Sequence, residues 1–192
     1  MKRFFHIVCA AGVALLAALT GCSGSTPEDT TEQEIKAISA MRELGLVEYR
    51  VRKIVKASDE GAWYKIGDRK ILLSCTAYLK AGIDLSGFGM DSVDMDRESG
   101  TVTVRIPHAK LLSLDIPPSE IREEYDHVSL LRAGFSAQER NDLLQQGEKQ
   151  IRQSVPSLGI LEEADENARR FFASVFTKMG FDTVVVQFEE EE

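Results

Sequence analysis

The sequence predicts an α+β domain, an antiparallel sheet of about five to six strands with helices packed on one face. Three observations lead there. Ile71, Leu73, Cys75, Ala77, Leu79, Ala81, Ile83 and Leu85 place eight apolar residues at alternate positions, which is the signature of a long half-buried strand. Val93 and Met95, then Val102, Val104 and Ile106, repeat that alternation around Arg97-Glu98-Ser99-Gly100, which reads as a hairpin. Two stretches with helical apolar spacing come after these strands, and strands grouped ahead of helices favour α+β over α/β. Bulk properties agree: 192 residues with 43% apolar and 28% charged residues suit one folded domain and not a disordered chain. No repeat of about 20–50 residues points to a solenoid. A formal net charge of −8 argues against a nucleic-acid partner, which needs Lys and Arg to replace counterions on phosphates.

The first residues read as an address. Met1-Lys2-Arg3 is basic, and the apolar run Ile7–Leu19 has 13 residues. A membrane span needs about 20, so 1–21 is expected to be a signal peptide. Leu19-Thr20-Gly21-Cys22 resembles the lipobox of bacterial lipoproteins. That resemblance implies cleavage between Gly21 and Cys22 and diacylglyceryl transfer to the Cys22 thiol, since only a thiolate has the nucleophilicity to attack the lipid donor. Acyl chains contribute about 0.8 kcal/mol per buried methylene, so two or three make a permanent anchor. The expected location is the cell envelope, held by lipid. Ser23 in place of the aspartate that signals inner-membrane retention favours the outer membrane in a Gram-negative cell. Residues 22–30 then form the lipidated cysteine and a flexible tether, and 31–192 the folded domain.

Within that domain a first helix is expected from Thr31 to Leu44. Thr31-Glu32-Gln33-Glu34 fits a capping box, Ile35, Ile38, Met41 and Leu44 form a stripe, and Gly45 suits the C-terminal turn. A strand follows over Leu46–Val55, then a turn at Ser58–Gly61, a short apolar piece with Trp63, Tyr64 and Ile66, and a turn at Gly67-Asp68-Arg69. The long alternation begins at Lys70, with Gly82 marking a bulge or bend. Pro107 closes the hairpin arm, because proline cannot donate to a ladder. Lys110–Phe135 is mixed, with a short helix expected near Glu120–Tyr125. Ser136-Ala137-Gln138-Glu139 is a second capping box, opening a helix that carries Leu143, Leu144, Gly147, Ile151 and Val155 on one side. The last helix spans Leu161–Met179 with Ala164, Ala168, Phe171, Phe172, Val175, Phe176 and Met179 on its core face. Gly180 ends it, and Phe181–Phe188 is a closing strand, at an edge or between earlier strands.

Ala81-Gly82-Ile83-Asp84-Leu85, the hairpin ending in Val102-Thr103-Val104-Arg105-Ile106-Pro107, the segment Gly159–Ala164 with Asn167-Ala168, and Met179-Gly180-Phe181 together resemble domain-of-unknown-function family 4230. The resemblance covers Leu44–Phe188. It implies a bacterial, often membrane-anchored protein and transfers no activity or catalytic residue.

Candidate chemistry is sparse. After loss of Cys9 and lipidation of Cys22, Cys75 is the one thiol left, so no disulfide forms within the chain. In the apolar alternation it reads as buried and inert. His108 and His127 are the mature histidines. A hydrolase would need Asp126 and His127 to meet a hydroxyl such as Ser129 or Ser136, and no nucleophile elbow is present. Two His and one Cys at unrelated spacing do not make a zinc site. Asp94, Asp96, Glu98 and Gly100 depart from a calcium loop, which wants Gly at its sixth position and Glu at its twelfth. Ser99 and Arg105 stand there. Asp84 is expected to cap the Ser86-Gly87 turn. No phosphate-loop, dinucleotide, HExxH or CxxC pattern occurs, so neither cofactor nor metal is expected. Loss of Lys2 and Arg3 leaves 21 basic against 31 acidic residues, net −10; four of the acids form a solvated tail, Glu189–Glu192.

The expectation is therefore a non-enzymatic, lipid-anchored binding or scaffolding module. Its partners would be the membrane, through lipid, and an envelope protein, with self-association a further class. The candidate surface is the sheet face bearing Arg50, Arg52, Lys70 and Lys80. A surface hydrolase with dispersed residues is the alternative.

Overall fold

A computed structural model describes residues 27–59 and 67–189. The leader with Gly21 and Cys22, the Trp63, Tyr64 and Ile66 piece and tail residues 190–192 lie outside the described residues. The chain divides after Glu34. Of the first unit, the described part is 27–34, the opening of helix α1 (Pro27–Ser39). Everything else belongs to the second unit, Ile35–Glu192.

Helix α1 begins and ends earlier than its sequence pattern predicts. Pro27 suits a first turn, so Thr31 sits inside the helix and not at its cap, and Pro27–Thr30 are helix in place of tether. Ile35 and Ile38 are buried as expected, but Met41 is exposed and Leu44 is strand. Arg42, at φ 59°, turns the chain into β1 (Glu43–Asp59), where Leu44 lies opposite Ile83. Sheet pairing at Glu43–Leu44 outweighs a helical turn that would bury one further residue.

The α+β architecture stands, with the strands distributed over two sheets. In the larger sheet β1 pairs antiparallel with β2 (Arg69–Asp84), and β2 pairs in turn with β5 (Lys110–Asp115) and β6 (Ile121–Val128). The smaller sheet has order β3 (Val93–Asp96), β4 (Thr101–Ile106), β7 (Thr183–Phe188). The hairpin β3–β4 is antiparallel, and the closing strand β7 adds at the edge parallel to β4. The helix expected near Glu120–Tyr125 is strand β6, preceded by a single 3-10 turn at Pro118–Glu120. Its side chains are largely exposed, so pairing with β2, and not apolar burial, sets its conformation.

Helices α2 (Ala137–Ser154) and α3 (Ile160–Lys178) both pack on β1 and β2, and α3 also on β7. The Ser136 capping box forms as predicted: the Ser136 hydroxyl accepts from the Glu139 backbone N–H at 3.2 Å, and the Glu139 carboxylate accepts from the Ser136 backbone N–H at 2.8 Å. Gly147 lets α2 ride close to the sheet, since a Cβ there would lie 2.7 Å from a Val55 methyl carbon. The main core joins odd-numbered β2 residues from Cys75 to Ile83, and Leu85 just after the strand, with Val102, Val104, Ile106, Ile160, Ala164, Ala168, Phe172 and Phe176. A smaller cluster of Val55, Ile71, Leu73, Phe135 and Leu143 fills the far end under α2. The bulges predicted at Gly82 fall on its neighbours, between Gly45 and Val47 in β1 and opposite Lys80/Ala81 in β5.

Candidate functional site

Beyond the bulge in β1, strand alternation sends odd-numbered residues of β1, from Val47 onward, and of β2 toward the helices and leaves the even-numbered ones on the outer face. That face carries Arg50, Arg52, Ile54 and Lys56 from β1 and Lys70, Ser74, Thr76, Tyr78 and Lys80 from β2, so the four cations of the sequence-derived surface do share one side. The register sets Arg52 opposite Thr76, Arg50 opposite Tyr78 and Glu48 opposite Lys80. Strand β6 brings Arg122 opposite Ser74 and Tyr125 opposite Leu72. Ile54 and Tyr125 are about half exposed, which gives the face an apolar component beside its charges. Leu130 and Leu131, in the connection after β6, are exposed as well.

Arg50, Arg52, Ser74, Thr76, Glu120 and Arg122 line a hollow of about 340 Å³ on this face. The Arg50 guanidinium lies 3.3 Å from Glu120 and over the Tyr78 ring, 5.6 Å from its centroid. The Arg52 guanidinium donates to Glu124 at 2.6 Å and to the Ser74 hydroxyl at 3.4 Å. Ser74 in turn donates to Glu124 at 2.6 Å. Ser74 and then Arg52 hold the Glu124 carboxyl below its ordinary value, with the Arg122 charge adding to the effect. Arg122 makes no hydrogen bond or ion pair among the described residues. Sequence reasoning missed Arg122, which reaches this hollow only through the pairing of β6 with β2, and did not single out Ser74 and Thr76, which the β1–β2 pairing sets beside Arg52.

A second cleft of about 360 Å³ opens where the ends of β2 and β4 meet the start of β5. His108 Nδ1 lies 2.7 Å from Asp165 Oδ2, Asp165 Oδ1 accepts from the Ala109 backbone N–H at 2.7 Å, and the His108 ring stacks on Phe188 at 4.7 Å. This orients His108 and leaves Nε2 without a protein partner among the described residues. Asp165, 57 residues away, gave no sequence signal. Charges in this cleft are balanced: Lys110 donates to Asp84 at 2.6 Å, Arg105 donates to the Asp91 carbonyl at 2.6 Å, and Glu189 stands on the rim. Asp84 also caps its turn as expected, accepting from the Ser86 backbone N–H at 2.9 Å.

The remaining sequence candidates scatter. Asp126 meets Arg140 at 3.3 Å, and His127 lies 3.7 Å from Asp68. The Ser129 hydroxyl donates to that same Asp68 at 2.9 Å, so serine and histidine both face the carboxylate, and the Asp126–His127–hydroxyl convergence does not form. Ser136 is a helix cap. Asp96 accepts from the Glu98 and Ser99 backbone N–H groups, as a turn does. Cys75 is buried, and burial pushes its thiol up. Phe172 and Phe176 are core, with Phe171 partly exposed against it. Among the described residues no three His, Cys, Asp or Glu side chains group to hold a metal ion, and no helix is long and apolar enough to cross a membrane.

Two carboxylates tie distant elements together and predict acid sensitivity. The Arg69 guanidinium, 2.6 Å away, and the Ser136 N–H and hydroxyl bring Glu139 from 4.5 down to about 2. Lys110 first, then Ser86, hold Asp84 well below the ordinary carboxylate range. A depressed folded-state pKa stabilises the fold above the unfolded value and loses that contribution as pH falls through the folded one. Urea midpoints are therefore expected to drop between about pH 4.5 and about pH 2, with a shallower drop in Glu139→Gln. Identical pH profiles for the two proteins would refute the assignment.

A family model described as Protein of unknown function (DUF4230) matches residues 36–186. No curated protein and no solved structure matches the chain.

Proposed function

We propose that this chain, which belongs to the DUF4230 family, is a lipid-anchored protein of the bacterial cell envelope that binds a partner on the outer face of its larger sheet. The observation that carries this reading is the asymmetry of that sheet: one face is covered by α2 and α3, while the other presents Arg50, Arg52, Lys56, Lys70, Lys80 and Arg122 beside half-exposed Ile54 and Tyr125. A mixed cationic and apolar surface on a chain of net charge −8 is concentrated recognition chemistry. The balanced charges of the His108 cleft offer less to a partner. Leu19-Thr20-Gly21-Cys22 supports the anchor, and Ser23 supports the outer membrane in a Gram-negative cell.

The test has two parts. Metabolic palmitate is expected to label the wild-type chain and not Cys22→Ser; an unlabelled, freely secreted wild type would overturn the anchor. Crosslinked capture from membranes is expected to recover a partner with the wild type, and to lose it with Lys56→Glu/Lys80→Glu. Equal capture by that variant would overturn the face.

A further inference from the structure

We infer that the hollow between Arg50, Arg52 and Arg122 is a binding site for a phosphate-type dianion, either free or as a phosphomonoester headgroup. The inference rests on the outer face of the larger sheet being the working surface, and it names the chemistry that surface recognises.

Three guanidiniums border one hollow, and Ser74 and Thr76 lie at its base. Arginine offers a planar fork of donors that matches phosphate oxygens two at a time, which the lysine ammonium does not. Ser74 is 2% and Thr76 8% exposed. The Ser74 hydroxyl is engaged by Arg52 and Glu124. The Thr76 hydroxyl has no hydrogen-bond partner among the described residues, although its residue is more than nine-tenths buried and lines the hollow. No side-chain polar atom is both buried and unpartnered among the described residues, so the Thr76 hydroxyl keeps access to the hollow and can donate to an oxygen that enters it. Arg122, opposite Ser74 in the ladder and lining the same hollow, has no hydrogen bond or ion pair among the described residues either. One hydroxyl donor and one cation, neither with a side-chain partner among the described residues, thus border the same space.

Glu120 and Glu124 answer Arg50 and Arg52, but those pairs are open to water: the arginine side chains are 63% and 60% exposed. Exposed pairs of this kind add little stability, so a dianion that engages two guanidiniums and Thr76 competes with the Glu120 and Glu124 carboxylates for them. The volume, about 340 Å³, admits a phosphate with a small attached group.

The test titrates the full-length chain with inorganic phosphate, followed by phosphorus NMR. In parallel it floats the chain with vesicles of phosphatidic acid in phosphatidylcholine and with phosphatidylcholine alone. Saturable phosphate binding is expected, weakened about tenfold by Arg122→Gln and several-fold by the near-isosteric Thr76→Val. Arg152→Gln, which alters an exposed Glu148 pair on α2, is expected to bind like wild type. Circular dichroism confirms that each variant is folded.

Phosphate binding together with a preference for phosphatidic acid, both lost in Arg122→Gln, assigns a lipid headgroup; phosphate binding without that preference assigns a soluble phosphate. Absence of saturable phosphate binding overturns the site, even if acidic vesicles are preferred, because diffuse charge would then suffice. Equal weakening by Arg152→Gln overturns it too. Capture that depends on Lys56 and Lys80 without phosphate binding would remove the anion site and leave the partner face standing. Phosphate binding without such capture would do the reverse.

Discussion

Replacing Phe172 with alanine is expected to remove about 3–5 kcal/mol of folding stability, a large share of the roughly 5–15 kcal/mol available to a domain. Phe172 is fully buried on α3. Its ring lies 5.4 Å from Phe88 and 5.3 Å, edge-on, from Phe171, inside the cluster that joins both sheets to α3. Truncation forfeits the burial of the ring and leaves a cavity bounded by strands, which cannot collapse freely. Phe171, partly exposed on the same helix, is expected to cost less than half as much. Urea unfolding followed by circular dichroism measures both, and a Phe172→Ala loss under about 1 kcal/mol would mean that this core is not assembled around α3.

The second large effect is expected from adding one methyl group. At Gly82 a Cβ would sit 2.0 Å from the Leu44 carbonyl oxygen and 2.9 Å from the Gly45 Cα. Both obstacles are backbone, so no side-chain rotation relieves them and β1 must move away from β2. Overpacking of this kind costs about 1–3 kcal/mol or more, and here it falls where β1, β2 and β5 adjoin. Gly82→Ala is therefore expected to lower stability by about 3 kcal/mol. Gly87→Ala, whose added Cβ meets nothing within 4 Å, serves as the control and is expected to be nearly neutral. Equal midpoints for the two variants would refute the close approach.

The same pair of positions shows where local pattern stops informing. The alternation around Gly82 predicts its strand within a residue, yet the reason for glycine there is the Leu44 carbonyl of another strand. Helix α2 was legible because its signals are local, a capping box and an apolar stripe within eighteen residues. Strand β6 was not. Ile-Arg-Glu-Glu-Tyr-Asp-His-Val has no apolar alternation, and its largely exposed side chains leave the ladder with β2 as its chief constraint. Losing β6 from the reading meant losing Arg122 and Glu124 from the site, although Arg50 and Arg52 were already assigned to the right face. The His108–Asp165 contact was illegible for a similar reason: it joins the end of β4 to α3, which no spacing along the chain encodes.

From the residues alone follow the α+β class, the long β2 strand, the β3–β4 hairpin, the capped helix α2, and the outward side of the four cations. Each depends on periodicity or on hydrogen bonds between residues a few positions apart, which a linear chain displays directly. The division into two sheets, the parallel docking of β7, the conversion of an expected helix into β6, and the convergence of Arg122 with Thr76 were decided in three dimensions. They depend on backbone ladders and charge contacts between segments tens of residues apart, and those partners become neighbours only once the core has closed.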